Sequence, residues 1–368
     1  MRLFVNTQEL NAAISTVTKA LATKTTMSIL EGIYIEAEDN NLMLRCTDLS
    51  LQIETIIPAT VEEEGAIVLP GRLFSEMARR FPGESTSIFT SDKTASLSSG
   101  RAKADIQGES SLEYHNMPEV KKEFEVRIKK NALKNMIKQC VFATAQDDTK
   151  PILTGVLLEI HGSELDMVAL DGFRLALRRE KINDIGGEKS VVVPAKSLLE
   201  ISRIIDDSDD EISVVFSNTH ILIDMQHTRI KTRLMEGEFI KYKRMLPDSH
   251  STRVRVKRQE LYDSLERVSL MAREGKSNLI KFSYASDTLS LSANSEIGRS
   301  NEELDVSIMG SDIDIAFNSK YFSDVLKVLD DEEIFLDMNN NISPCVVSPV
   351  QGERFYYLVL PVRLFSGM

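Results

Sequence analysis

Three basic residues recur along this chain at a fixed interval. Arg72 in Leu69-Pro70-Gly71-Arg72, Lys196 in Val193-Pro194-Ala195-Lys196 and Lys320 in Phe317-Asn318-Ser319-Lys320 stand 124 residues apart, each where a helix is predicted to begin. A further group, Lys130, Lys134 and Lys138, has the i, i+4, i+8 spacing that sets three ammonium groups on one stripe of a helix. Such side chains do no covalent chemistry alone. What they can do is hold phosphate by charge, which releases counterions and reads no bases. The same stripe also suits a helix that only needs to stay soluble, and spacing leaves both open.

Residues that would carry other chemistry are poorly arranged for it. His115, His161, His220, His227 and His250 show none of the spacings that ligate a metal, and no Gly-x-Ser-x-Gly elbow, phosphate loop or Gly-x-Gly-x-x-Gly phrase occurs. Asp147-Asp148 could hold Mg²⁺ for hydrolysis, and equally suits a solvated turn. Cys46, Cys140 and Cys345 are odd in number and lack Cys-x-x-Cys spacing, so they read as plain thiols. No enzyme, catalytic residue, metal or cofactor is therefore expected.

The elements that position the basic residues come in triplicate. Leu3-Phe4-Val5, Val126-Arg127-Ile128 and Val254-Arg255-Val256 each read as a strand running into a helix, with apolar anchors Leu10, Leu133 and Leu261 at offsets of 123 and 128 residues. Strand ends at Leu42-x-Leu44-x-Cys46-Thr47-Asp48, Leu165-x-Met167-x-Ala169-Leu170-Asp171 and Leu289-x-Leu291-x-Ala293-Asn294-Ser295 keep the same register. A unit of about 120 residues can bury a core of its own, which solenoid repeats cannot. The expected organisation is three domains, residues 1–122, 123–249 and 250–368, with joins near Met117-Pro118-Glu119 and Leu246-Pro247-Asp248. Each would be α+β, two helices packed on antiparallel sheets.

Composition fits a soluble cytoplasmic protein: 42% of residues are hydrophobic and 27% charged. No apolar run nears the roughly 20 residues of a membrane helix, and Met1-Arg2-Leu3-Phe4-Val5-Asn6 reads as a first strand, not a signal peptide. A net charge of −12 argues against nucleic acid until it is mapped. The predicted helical segments 7–24, 71–81, 129–140, 195–204, 257–276 and 319–329 carry a net +10, leaving −22 elsewhere. Acid gathers in Glu62-Glu63-Glu64, Asp206-Asp207-Ser208-Asp209-Asp210-Glu211 and Asp330-Asp331-Glu332-Glu333, which read as solvated turns. Helices facing a common side would make that side attractive to a polyanion.

Four phrases carry a family resemblance: Lys150-Pro151-Ile152-Leu153-Thr154-Gly155-Val156, Leu170-Asp171-Gly172-Phe173-Arg174-Leu175-Ala176, Phe317-Asn318-Ser319-Lys320-Tyr321 and Leu360-Pro361-Val362-Arg363-Leu364. Together they resemble the bacterial β sliding clamps, the DNA polymerase III β subunits that act as replicative processivity factors, over the whole chain. The resemblance implies a head-to-tail homodimer of six domains around double-stranded DNA. It also implies short-linear-motif partners: the replicative DNA polymerase, the clamp loader and repair proteins. Geometry agrees. With domains about 30 Å across, three in a circle leave no hole and six leave an opening on the order of 30 Å.

By resemblance the DNA-facing positions include Lys24, Arg72, Lys196 and Lys320, and Lys150 in a segment where Asp147 and Pro151 depart from the family pattern. Lys130, Lys134 and Lys138 join them on their helical stripe. The peptide-binding pocket resembles Leu153, Leu170, Gly172, Phe173, Arg174, Leu175, Ile240, Arg244, Met245, Ile342, Pro344, Leu358 and Leu360, with Leu170 and Phe173 where some relatives carry Thr and His. A partly open cluster of Leu, Ile and Met makes a tolerant groove for an extended peptide. At the dimer interface Leu270 and Met271, which also suit a helical core, would face the strand around Ala104 and Ile106. The alternative function is a three-domain protein-interaction scaffold that does not encircle DNA.

Overall fold

The computed structural model describes residues 1–147, 149–183, 186–275 and 278–363; Asp148, Lys276 and Leu364 therefore lie outside the described residues. Among the described residues six helices are observed: α1 (Thr7–Val17), α2 (Gly71–Ala78), α3 (Lys130–Cys140), α4 (Ala195–Ile204), α5 (Arg258–Glu274) and α6 (Ser319–Val328). All three helix pairs follow the repeat register. Asn6 caps α1, its Oδ1 accepting from the N–H groups of Gln8 (2.9 Å) and Glu9 (3.1 Å), and Leu10, Ala13, Ile14 and Val17 are buried.

The first helix is shorter than its apolar spacing suggests. It stops at Val17 and continues only as a 3₁₀ turn, Thr18–Ala20. The cause is the run Ser15-Thr16-Val17-Thr18: β-branched residues crowd the preceding turn, and hydroxyls bond back to carbonyls, Thr16 to Ala12 at 2.9 Å and Thr18 to Ile14 at 2.8 Å. With the observed bounds the six helices carry only +3. Lys19, Lys24, Arg79, Arg80, Lys129 and Lys257 fall in flanking turns and strand ends, so the expected cationic helices are helices with cationic flanks.

The chain forms two compact units, residues 1–131 with 203–234 and residues 132–202 with 235–368. In the first, twelve antiparallel strands share hydrogen bonds, running 102–107, 94–99, 85–91, 2–6, 51–63, 228–233, 220–224, 211–216, 124–129, with 32–38, 41–47 and 65–70 branching from it. The 13-residue strand Leu51–Glu63 joins the branches, pairing with 2–6, 41–47 and 228–233. The second unit holds a nine-stranded antiparallel sheet, 188–194, 155–161, 164–170, 174–181, 355–359, 345–349, 333–338, 252–257, 307–309. It also holds a four-stranded sheet, 298–305, 288–295, 279–285, 313–318, on which α5 packs. Phe282, Phe317 and Phe322 close that core, with Phe282 edge-on to Phe317 at 5.2 Å. Sheets thus run through the repeat boundaries, strand 174–181 continuing onto 355–359 just as 51–63 continues onto 228–233.

The acidic turns are less free than their composition suggests. Asp206 and Asp210 lie 3.0 and 3.4 Å from the Lys130 ammonium, Asp209 accepts from Asn131 at 2.8 Å, and the Asp210 carbonyl accepts the Lys130 N–H at 2.9 Å. This turn is folded over the N-terminus of α3, where its charge suits the helix dipole. In the third acidic run Asp331 pairs with Arg354 and Glu333 with Arg255.

Candidate functional site

In the second unit a groove of about 670 Å³ opens between residues 145–147 and 149–150, the 3₁₀ turn Pro151–Thr154, the strands 164–170, 174–181 and 355–359, and the segment 240–245. Its floor is Leu153, Leu170, Leu175 and Leu358, none more than 4% exposed, and its rim is Phe173 (57%), Met245 (43%) and Leu360 (37%). Alternation along the strands explains the floor. Leu170 faces Leu175 across one ladder and Leu175 faces Leu358 across the next, so three leucines stand in a row.

The turn at 171–173 builds one wall. Asp171 Oδ1 accepts from the N–H groups of Phe173 (2.9 Å) and Arg174 (3.1 Å), and Gly172 sits at φ 94° in open space, a conformation that favours glycine. Arg174 locks this turn to α6. Its guanidinium donates to Asp171 at 3.0 Å, Asp324 at 2.5 Å and the Phe142 carbonyl at 2.8 Å, and lies over the rings of Phe142 and Tyr321. Phe173 stacks on Tyr321 with centroids 5.7 Å apart.

Eleven expected pocket residues are brought together here: Leu153, Leu170, Gly172, Phe173, Arg174, Leu175, Ile240, Met245, Pro344, Leu358 and Leu360. Arg244 and Ile342 are not part of the lining; Arg244 sits in the 3₁₀ turn Tyr242–Met245, whose three-residue period turns it away from Met245, and Ile342 is 62% exposed. Sequence reasoning missed Ala145, Asp147, Thr149 and Asp171, and expected Lys150 at DNA, whereas Lys150 lines the groove. The Ala145 N–H to Leu153 carbonyl bond, 2.9 Å, folds that loop back, and only the Asp171-Gly172 turn signal was visible beforehand.

The first repeat shows what closes such a groove. Thr47, Gln52 and Lys231 occupy the ladder that Leu170, Leu175 and Leu358 occupy in the second. Gln52 is 2% exposed and its Oε1 accepts the Met117 N–H at 2.8 Å, so a buried methionine fills the position. Burial pushes the Lys231 ammonium pKa down.

Arg72, Lys196 and Lys320 are exposed and each is the second residue of its helix, α2, α4 and α6, following a buried Gly71, Ala195 or Ser319. Lys24 is exposed in the loop beyond α1. The lysine stripe on α3 is not uniform. Lys130, with 17% of its side chain exposed, is held by Asp206 and Asp210, and its pKa is raised chiefly by the Asp206 hydrogen bond; Lys134 is half-buried and Lys138 exposed. Lys130 is thus a structural partner of the acidic turn.

Of the interface candidates, Leu270 is 63% exposed on α5, and Met271 is half-buried, its sulfur accepting from Ser295 Oγ at 2.9 Å. Ala104 is half-buried in 102–107, while Ile106 is 2% exposed and faces its own core opposite Ala95, so it offers no free surface in the single chain. Strands 102–107 and 298–305 are both the last of their sheets.

Among the described residues no three His, Cys, Asp or Glu side chains gather as metal ligands, and no helix is long and apolar enough to cross a membrane. Asp147 is engaged by Thr149, whose hydroxyl and N–H lower its pKa. The three cysteines are buried, and burial pushes their thiols up.

Models of the DNA polymerase III beta subunit match along the chain: the N-terminal domain over residues 1–118, the central domain over 127–241 and the C-terminal domain over 243–363. The "Beta sliding clamp" of Staphylococcus aureus (strain Mu50 / ATCC 700699) is 33% identical over 358 residues, covering 94% of this chain and 95% of that protein. Two solved structures superpose closely, each covering 99% of this chain and 100% of its own: the DNA polymerase sliding clamp from Bacillus subtilis (TM-score 0.96, 32% identity) and the DNA polymerase III beta subunit from Thermotoga maritima (TM-score 0.91, 31% identity).

Proposed function

The chain belongs to the DNA polymerase III beta subunit family, the β sliding clamps, and from that membership we propose how it acts: two copies close into a six-domain ring on double-stranded DNA, and each copy presents one peptide groove. The observation that carries the DNA half is the threefold recurrence of an exposed cation at the second residue of α2, α4 and α6. A positive side chain there repels the positive end of the helix dipole, at about 0.3–1 kcal/mol. Three such placements are unfavourable for folding and favourable for phosphate. Lys24 and Lys138 are further exposed cations, and Lys150 serves the groove mouth. None of these contacts reads a base edge, so binding is independent of sequence.

Two edges close the ring. Strand 102–107 of one copy pairs with 298–305 of the other, and Leu270, exposed beside the second edge, is buried by the pairing together with Met271 and Ala104. The groove takes extended apolar segments of the replicative polymerase, the clamp loader and repair proteins, without catalysis by this chain; its deep leucine floor and open Phe173, Met245 and Leu360 rim support that reading. The place of action is the bacterial cytoplasm, at the nucleoid.

The test is topological. Protein loaded onto a nicked circular plasmid resists excess competitor duplex and is released when the circle is linearised. A scaffold that does not encircle DNA is chased equally from both forms.

A further inference from the structure

The groove wall formed by residues 240–245 has little backbone support. The segment is tied at one end by the Met235 N–H to the Val192 carbonyl (2.8 Å) and at the other by the Ser251 N–H to the Met338 carbonyl (3.0 Å). Between these ties, among the described residues, the polar side-chain contacts that leave 240–245 for another element all reach Glu159 or the adjacent His161. Tyr242 OH donates to Glu159 Oε2 at 2.7 Å, Lys243 Nζ lies 2.9 Å from the same oxygen and 3.1 Å from His161 Nε2, and His161 Nε2 is 3.0 Å from Glu159. Tyr242 itself is 3% exposed and packs with the leucine floor, and its neighbours Ile240 and Met245 line the groove.

We propose that Glu159, which does not touch the groove, is its positioning residue: by holding Tyr242 and Lys243 it sets where Ile240 and Met245 stand, and so sets peptide affinity. The inference rests on the peptide-binding reading above. Burial alone would raise the Glu159 pKa, but hydrogen bonds from His161, Lys243 and Tyr242 outweigh it and hold the carboxyl at about 2, so the anchor stays ionised at neutral pH. The first repeat provides a contrast. There the buried Tyr114 donates its hydroxyl to the Arg45 carbonyl at 3.4 Å, a backbone partner in place of a carboxylate.

The experiment uses the full-length protein and a fluorescein-labelled hexapeptide alternating polar residues with leucine and phenylalanine, with affinity read by anisotropy and dissociation by stopped flow. Glu159→Ala and Tyr242→Phe each weaken binding about tenfold through faster dissociation, and the double variant loses no more than Glu159→Ala. Glu159→Gln, whose amide oxygen still accepts from Tyr242, stays within about threefold of the unaltered protein, and retention on circular DNA does not change in any variant. If Glu159→Ala fails to fold, Tyr242→Phe, which keeps the packed ring, decides alone. Wild-type affinity in Tyr242→Phe, or additive losses in the double variant, overturns the inference. No binding by the unaltered protein instead refutes the groove reading beneath it.

Discussion

Replacing Arg72, Lys196 and Lys320 together by glutamine separates phosphate contact from folding more sharply than any other change. All three side chains are exposed and none has an ion partner among the described residues, so their removal breaks nothing within the chain. Each also relieves an unfavourable charge at a helix start, worth about 0.3–1 kcal/mol, so the thermal midpoint should hold or rise slightly. A duplex narrower than the opening touches one side of the ring at a time, engaging about half of the six equivalent cations in two copies. Each phosphate contact contributes about 0.9 to the slope of log K against log salt, so losing about three lowers that slope by about 2.7. Anisotropy of a labelled duplex between about 50 and 200 mM KCl reads this directly. An unchanged slope would refute the assignment. So would loss of DNA binding accompanied by a fallen midpoint, because the residues would then be structural.

Leu270→Asp places a charge where the second edge must be covered and should convert a species of twice 41.3 kDa into one of 41.3 kDa by sedimentation, with unchanged circular dichroism. Met271 is half-buried within its own chain and is the poorer test. Giving the groove the polar ladder of the first repeat, Leu170→Thr with Leu175→Gln, should weaken the hexapeptide at least tenfold, by roughly 1.4 kcal/mol or more, and leave DNA retention intact. Because the Glu159 pKa is depressed to about 2, its stabilisation is present above the unfolded value near 4.3 and is lost as pH falls toward 2. Urea midpoints of the unaltered protein and Glu159→Gln should therefore differ at neutral pH and converge on acidification; parallel curves down to about pH 2 would exclude that linkage.

Much of the fold could be read from local pattern because the chain writes it three times. The helix expected over 195–204 is observed as Ala195–Ile204, and the strands around Leu42, Leu165 and Leu289 are where alternation placed them. What could not be read depends on partners remote in sequence or on backbone period. Lys130 looked like one of three equivalent stripe lysines, yet Asp206 and Asp210, 76 and 80 residues further on, occupy it. Ile106 looked like interface until the strand 94–99 placed Ala95 opposite it and turned it inward. Arg244 was carried over from the family resemblance, and the 3₁₀ turn Tyr242–Met245 that turns it out of the lining left no signal in the local pattern. The groove and its partly open state were implied by the family resemblance and not by local pattern: they follow from Leu358 arriving opposite Leu175 where the first repeat has Lys231 opposite Gln52.

The most direct measurement follows single labelled proteins on a linear duplex whose two ends are blocked by bulky adducts. Loaded molecules should diffuse along the whole duplex at random, survive a high-salt wash that screens phosphate contacts, and leave within seconds when one block is cleaved away. Dissociation in high salt that is indifferent to whether the ends are blocked would contradict encirclement.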